Sequence, residues 1–332
     1  MEGNLSIFSF NLKLMNYSTF SDSIKKKPYF FFILKLLLFS FIVYLMDFSI
    51  GSILNYFYFK QKSGFEFRTT YSIEKTSEDI LIFGSSRASH HYDPDIFEKR
   101  LKMPCYNVGR DGNFMIYHCA ILHCVLKRYT PKIIVLDFSN EEFKKDTKSY
   151  DRISTLLPYY KTHPEIRSFI ELKSKFEKEK LLSKIYPFNS SIFKIFINNT
   201  DFNKDRKSPD IKGYIPLKEI LNKPINVLNK PEIYELDSIK INVYDNFIKD
   251  CKKAGVELFV FVSPYFSKSL NLDYSVEIAR EVAARNNIKF YDYSRDTLFT
   301  NKNLFFFDEI HLNDNGAKFY SNLVVDRIVN RR

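Results

Sequence analysis

The sequence predicts an α/β protein, a three-layer α/β/α sandwich around a mainly parallel five-stranded sheet, preceded by one N-terminal transmembrane helix. From residue 79 onward, short apolar runs alternate with helical segments. The predicted strands are almost continuously apolar, which is typical of a parallel sheet covered on both faces. The chain has 332 residues, of which 45% are hydrophobic, enough to bury a sizeable core.

The first predicted element is the membrane helix. Tyr29 to Met46 is an apolar run with one charge, Lys35, and as a helix it spans about 27 Å, close to the hydrocarbon thickness of a bilayer. The basic run Lys25 to Lys27 precedes it and is expected to stay cytoplasmic. A cleaved signal peptide and a buried core helix are the alternatives, but no small-x-small cleavage site follows closely and amphipathic periodicity is absent.

The predicted sheet takes its strands in order along the chain. Residues 79–83, 106–108 and 132–138 are the first three strands, and 256–262 and 288–292 are the last two. Predicted helices lie between them: one begins at Asp93-Pro94, an N-cap followed by an N1 proline, and others cover 114–128, 274–285 and the chain from about Asp314. Another helix ends before Gly255, which suits a C′ position.

These elements predict four segments. Residues 1–27 are a cytoplasmic tail (with Met15 as an alternative start), 28–54 a transmembrane signal anchor, 55–77 a juxtamembrane segment and 78–332 the α/β domain. A charged, aromatic and locally helical insertion at about 141–235 interrupts the domain after its third strand, and Gly-Tyr-Ile-Pro at 213–216 predicts a turn within it.

Composition excludes several functional classes. The formal charge of +11 comes from lysines spread along the chain without a dense basic stripe, so nucleic acid is not an expected partner. The four cysteines form no CxxC pair, which excludes a zinc ribbon, and isolated buried thiols are the expected state.

Polar residues gather where predicted strands end, the edge at which parallel sheets carry their sites. Ser86 follows the first strand on a tight turn, Gly109 and Gly112 follow the second, and Asn140 follows the third. A nucleophilic serine needs a base and an orienting carboxylate, and Asp308 and His311, three residues apart near the C-terminus, can supply both. Backbone N–H groups at Ser86 and Gly112, with the Asn140 amide, could stabilise an oxyanion.

This set and its order resemble the SGNH (GDSL-like) hydrolase superfamily, a flavodoxin-like fold. The resemblance covers roughly residues 78–140 and 255–330, and extends to membrane-anchored branches similar to the D-alanyl transfer protein of teichoic acid synthesis and to polysaccharide O-acetyl transferases and esterases. It implies Ser86 as nucleophile, His311 as general base, Asp308 as its orienter, and Gly112 and Asn140 as oxyanion donors. Two departures are Gly-Ser-Ser in place of Gly-Asp-Ser, and Phe138 where the family has glycine before the asparagine.

Other interpretations of the same residues remain. His90, His91, Asp93 and Asp95 look like a metal cluster, but adjacent histidines point apart, so structural or pocket-lining roles are favoured and no metal or cofactor is expected. A phosphate-binding role for the 107–113 turn lacks the required glycine spacing. Arg87 is a candidate substrate-binding residue for an anionic group, and a salt bridge to Asp111 or Glu141 is its alternative.

The predicted function is a serine esterase or O-acyltransferase. The resemblance implies an acyl ester, with acetyl as the leading group, of an envelope polysaccharide or glycolipid. A membrane-bound acyltransferase is one candidate partner. The domain is expected on the extracytoplasmic (periplasmic) side of the inner membrane, held by one span. The alternative is an inactive SGNH-like domain that acts as a binding partner in an envelope export or modification complex.

Overall fold

The structure is a computed structural model that describes residues 28–200, 210–222, 234–267 and 273–330. The predicted tail, residues 1–27, and two stretches of the predicted insertion lie outside these residues. By its contacts the chain divides into two units, residues 1–50 and residues 51–332.

Residues 28–50 of the first unit are helical and lie within the long helix α1, Pro28–Lys60. The most apolar part of α1 has a mean hydropathy of 2.3 and contains no buried residue, and among the described residues α1 alone is long and apolar enough to cross a membrane. One N-terminal apolar helix, as predicted, is therefore present, and its composition is compatible with a single-pass anchor or a signal sequence. The helix runs six residues past the predicted end of the anchor, and Tyr58 is buried beside Tyr159 and Phe188 in the second unit.

The second unit contains the predicted sheet. The strands are β1 Ile80–Phe83, β2 Cys105–Asn107, β3 Ile133–Asp137, β4 Glu257–Val262 and β5 Phe290–Asp292. They are all parallel and lie in the order β2-β1-β3-β4-β5, so the three-layer α/β fold class is confirmed. All agree with the predicted runs to within two residues at each end, because apolar residues flanked by turn residues define them.

Helices cover both faces of the sheet because successive strand residues point to opposite sides. In β1, Leu81 and Phe83 belong to one buried cluster, and Ile80 and Ile82 belong to the other. The helices of the first cluster are α2 Gly64–Glu74, α5 Met115–Arg128, α10 Ser238–Lys253 and α11 Tyr274–Arg285. Those of the second are α3 Ser86–His91, α4 Pro94–Leu101 and α12 Asp314–Val329.

The helix ends predicted at Asp93-Pro94 and before Gly255 are present in the structure. Asp93 accepts the backbone N–H of Asp95 at 3.0 Å and caps α4, whose first residue is Pro94. Gly255, just after α10, has φ +73°, a conformation that favours glycine. Helix α2 was not predicted, and its Ile73 and Thr69 are fully buried.

The inserted segment leaves and rejoins the sheet domain at one place. Lys144 and Leu236 form an antiparallel bridge, which brings its two ends together. The described part contains only short helices: α6 Thr147–Arg152, α7 Arg167–Glu171, α8 Glu177–Lys180, α9 Ile192–Asn199 and 3-10 turns. The turn predicted at 213–216 lies two residues earlier, at 211–214, with Gly213 at φ +86° and a bridge between Ile211 and Tyr214.

Candidate active site

Ser86 lies at the carboxyl end of β1, on a turn that only glycine permits. Gly84 has φ +141°, and a Cβ at that position would lie 2.8 Å from the backbone oxygen of Asp137. The chain can therefore leave β1 sharply against the end of β3, and α3 begins at Ser86 itself. The side chain of Ser86 is partly exposed at the edge where the strands end.

The structure brings Ser86, His311 and Asp308 together. Ser86 Oγ lies 2.8 Å from His311 Nε2, and His311 Nδ1 lies 2.8 Å from Asp308 Oδ2. Because a carboxylate only accepts, Nδ1 carries the ring proton, which leaves Nε2 free to accept the hydroxyl proton of Ser86. The loop keeps this order because Asp308 Oδ1 accepts the backbone N–H groups of Ile310 at 2.8 Å and His311 at 2.7 Å.

Asp308 is held in the ionised form. Burial alone would raise the pKa of Asp308, but the hydrogen bonds from His311 and the backbone N–H of Ile310 outweigh it and hold the pKa below its ordinary value. The carboxylate therefore stays charged and able to stabilise a protonated His311. His311 is 21% exposed and Asp308 43% exposed at their side chains, so solvent reaches the group.

His91 supports the loop that carries His311. It is fully buried, its Nε2 accepts the backbone N–H of Leu312 at 2.9 Å, and its Nδ1 donates to Ser263 Oγ at 2.8 Å. Burial and the nearby charge of Arg87 lower the pKa of His91 well below its ordinary value. A neutral ring with its proton on Nδ1 satisfies both contacts.

His90 makes a second histidine–aspartate contact beside the first. Its ring lies edge-on to His311, with 5.5 Å between centroids. Nδ1 faces the backbone oxygen of Ile215 at 2.7 Å, and Nε2 faces Asp111 Oδ2 at 3.2 Å, so both ring nitrogens face oxygen atoms. Burial would raise the pKa of Asp111, but the hydrogen bond and charge of His90 lower it to about 2.

Neither His90 nor His91 belongs to a potential metal cluster in the described part of the chain. The two groups that bring three potential ligand atoms within 4.8 Å of one another involve other residues: Cys119, His123 and Asp250, and Cys124, His163 and Glu165. Sequence spacing could not find them because they assemble across separate elements. Burial raises the pKa of both thiols, and a protonated thiol is a poor ligand. All four cysteines are buried and free, as expected.

The structure places Arg87, the predicted substrate-binding residue, away from solvent. The residue is only 2% exposed, its Nε donates to Ser263 Oγ at 2.9 Å and its Nη2 to the backbone oxygen of Ser263. Its guanidinium lies 3.9 Å from the ring centroid of Tyr265, and Nε lies 3.7 Å from Asp137 Oδ2, so neither Asp111 nor Glu141 is its partner. Arg87 points under the site because α3 turns its side chain toward the ends of β3 and β4.

Ser263 and Tyr265 were missed in the sequence although they follow β4 directly. Sites of parallel sheets form at the carboxyl ends of the strands, and this holds for the fourth strand as for the first three. Tyr265 Oη accepts the backbone N–H of Asn140 at 3.2 Å, so the β3 loop is attached to the β4 end. Phe138 packs against Phe143 and Tyr244 in the core.

The predicted oxyanion donors differ in their hydrogen bonds. Gly109 N–H donates to Asn107 Oδ1 at 2.9 Å and is therefore engaged. Gly112, at φ +67°, has no acceptor for its N–H within the described residues, which favours it over Gly109. Asn140 is half-buried, and its Oδ1 is without a partner in the part of the chain that the structure describes.

Comparisons with known proteins give structural similarity at low identity. No protein-family model matches the chain, and no curated protein matches it either. It is similar to an acetyl xylan esterase (12% identity, TM-score 0.38, 75% of this chain and 99% of the other). It is also similar to a protein provisionally named a platelet activating factor from Streptococcus pneumonia (12% identity, TM-score 0.40, 89% of this chain and 98% of the other). A third similar structure is provisionally named an acylhydrolase from Bacteroides fragilis (11% identity, TM-score 0.37, 79% of this chain and 94% of the other). At such values the function of this chain rests on the geometry around Ser86.

Proposed function

We propose that the chain is a serine esterase or O-acyltransferase of the SGNH type. The observation that carries this proposal is the contact of Ser86 Oγ with His311 Nε2 at 2.8 Å, with His311 Nδ1 on Asp308 at 2.8 Å. The order of the three groups meets the geometric requirement for an activated serine. All three are partly exposed, which gives an ester access.

The reaction would proceed in two steps, the acylation and the deacylation of Ser86. Ser86 Oγ attacks the ester carbonyl carbon while His311 Nε2 takes the hydroxyl proton, and Asp308 stabilises the resulting imidazolium. The tetrahedral oxyanion would be stabilised by the N–H groups of Ser86 and Gly112 and the amide of Asn140. Collapse breaks the ester C–O bond, and the departing alkoxide takes the proton from His311, leaving acyl-Ser86.

The second step returns the enzyme to its starting state. Water, or a hydroxyl of an acceptor, attacks the acyl-Ser86 carbonyl while His311 takes its proton. Collapse then breaks the bond to Ser86 Oγ, which recovers the proton from His311. Water as acceptor gives hydrolysis, and a sugar hydroxyl gives acyl transfer.

The proposed substrate is an acyl ester, with acetyl as the leading group, of an envelope polysaccharide or glycolipid. We place the domain on the extracytoplasmic side of the inner membrane, held by α1, with a membrane-bound acyltransferase as a candidate partner. The apolar helix and the basic run Lys25–Lys27 before it support this orientation. Protease added outside spheroplasts should digest the second unit. Its full protection while an outer-face marker is cleaved would contradict the orientation.

The enzymatic proposal is tested by trapping the acyl-enzyme. The full chain in detergent is mixed with p-nitrophenyl acetate, quenched in acid and analysed by intact mass and peptide mapping. One acetyl group on Ser86 is expected, absent in Ser86→Ala and retained in Ser85→Ala, a matched neighbour whose Oγ contacts Ser139 Oγ at 3.0 Å. No adduct and no p-nitrophenol release from the folded protein would support the alternative, an inactive domain that binds a partner.

A further inference from the structure

We propose that a cavity of about 330 Å³ beside the β2 loop binds an oxyanion, a carboxylate or a phosphate, carried by the alcohol portion of the ester. The inference rests on the proposed function and specifies its substrate class. Arg110, Asp111 and Gly112 line one wall of the cavity. Arg152 and Lys194, both from the inserted segment, line another.

The cavity carries more positive than negative charge. Its charged side chains are three cations and two carboxylates: Arg110, Arg152, Lys194, Glu66 and Asp111. Glu66 Oε1 lies between Arg110 Nη2 at 3.6 Å and Lys194 Nζ at 3.3 Å, so one carboxylate faces two cations. Asp111 Oδ2 is already paired with His90 at 3.2 Å, whereas Asp111 Oδ1 has no hydrogen-bond partner among the described residues. The remaining excess of positive charge favours an anionic ligand.

Two guanidinium groups leave hydrogen-bonding capacity for that ligand. Arg110 is 5% exposed and stacks on Phe65 at 4.5 Å, yet its buried Nε has no hydrogen-bond partner among the described residues. A buried donor without a partner costs free energy, and the positive charge of the same guanidinium lines the cavity. Arg152 is exposed and forms no ion pair with a carboxylate of the described residues. Its guanidinium carbon lies 3.4 Å from where a Cβ on Gly112 would be, so it faces the proposed oxyanion glycine.

A chain of contacts joins the cavity to Ser86. Asp111, in the cavity wall, contacts His90, whose ring lies edge-on to His311 at 5.5 Å. Arg110 N–H donates to the backbone oxygen of Gly84 at 3.0 Å, two residues before Ser86. An ester bound at Ser86 can therefore extend its alcohol portion along the 110–112 loop toward Arg152. The inserted segment would thus select the substrate by supplying two of the three cations.

The test compares matched ester pairs on the full chain in detergent. One pair is an O-acetylated hexuronic acid glycoside and its carboxyl-reduced hexoside. The other is an O-acetylated glycerol phosphate and O-acetylated glycerol. For at least one pair, kcat/KM should be about tenfold higher for the anionic member, as expected for a charge-assisted hydrogen bond. The preferred pair identifies the anion as a carboxylate or a phosphate.

Variants show whether the cavity supplies the preference. In Arg152→Gln combined with Lys194→Gln, the anionic-to-neutral ratio of kcat/KM should fall about tenfold. Lys145→Gln is the matched control, because Lys145 is 57% exposed and paired with Glu235, as Lys194 is 53% exposed and paired with Glu66. The ratio should stay unchanged in this control. A ratio near one for both pairs, or a preference that survives in the double variant, overturns the inference.

Fluorophosphonate labelling of the same preparations separates this inference from the proposed function. Labelled Ser86 without a preference for anionic esters leaves the serine esterase standing and rejects the cavity assignment. Folded protein with neither labelling nor turnover rejects both.

Discussion

Replacement of Asp308 by asparagine tests the protonation order of the site. Two backbone N–H groups, those of Ile310 at 2.8 Å and His311 at 2.7 Å, point at Asp308 Oδ1. In Asp308→Asn they hold the amide oxygen at this position, so the amide NH₂ takes the place of Oδ2, 2.8 Å from His311 Nδ1. Nδ1 must then accept, which moves the ring proton to Nε2, the atom that faces Ser86 Oγ.

A ring protonated at Nε2 cannot accept the proton of Ser86. The expected loss in kcat is about 10³ to 10⁴-fold, roughly 4 to 5.5 kcal/mol of transition-state stabilisation. Steady-state hydrolysis of p-nitrophenyl acetate measures it. Asp296→Asn is the matched control, because Asp296 Oδ1 likewise accepts a backbone N–H two residues on, that of Leu298 at 2.8 Å. The reasoning is refuted by an Asp308→Asn variant that keeps its fold and retains kcat within about threefold of wild type.

Three further predictions concern the surroundings of the site. His91→Phe leaves the backbone N–H of Leu312 unpaired, so the free energy of unfolding should fall by about 2 kcal/mol and kcat should also fall. A variant with the kcat and the melting temperature of wild type would show that His91 does not support the loop that carries His311. Gly84→Ala places a Cβ 2.8 Å from the backbone oxygen of Asp137 at φ +141°, and thermal unfolding should show a loss of at least ~2 kcal/mol, whereas an unchanged melting temperature would contradict the strain. Burial raises the pKa of Glu142 to about 7, although the Glu142 carboxylate accepts the N–H of Met115. The contribution of Glu142 to the free energy of unfolding is therefore fully present below pH 4.5 and is lost as pH rises through 7. Between pH 5 and pH 8 the free energy of unfolding should fall by on the order of 3 kcal/mol more in wild type than in Glu142→Gln. An equal dependence of the free energy of unfolding on pH in the two proteins would contradict this.

Local patterns carried most of the fold. The strand limits followed from apolar runs, and Asp93, Pro94 and Gly255 marked helix ends correctly because caps and turns depend on neighbouring residues. The position of Ser86 also followed from sequence, since polar residues at the carboxyl ends of parallel strands meet at one edge. Asp308 and His311 lie in the loop before α12 and not at a strand end, so their pairing with Ser86 was expected from the needs of a nucleophilic serine and from the family resemblance.

Partners of buried polar groups could not be predicted in the same way. Arg87 was expected to contact Asp111, Glu141 or a substrate, whereas it contacts Ser263, Tyr265 and Asp137. Which groups meet beneath a sheet edge depends on the direction in which each element turns its side chains, and local sequence does not encode it. The end of α1 was missed for a related reason, because the last turns of the helix place Tyr58 against Tyr159 and Phe188, which are more than 100 positions away in the chain.

The most direct test of the central claim is fluorophosphonate labelling of the full chain in detergent, with peptide mapping. An activated serine predicts one adduct, located on Ser86 and lost in His311→Ala while the fold is retained. The contact of Ser86 Oγ with His311 Nε2 at 2.8 Å is the physical basis for that dependence. An adduct that forms equally fast in His311→Ala, or a folded protein that takes no label at Ser86, would contradict the proposed serine mechanism.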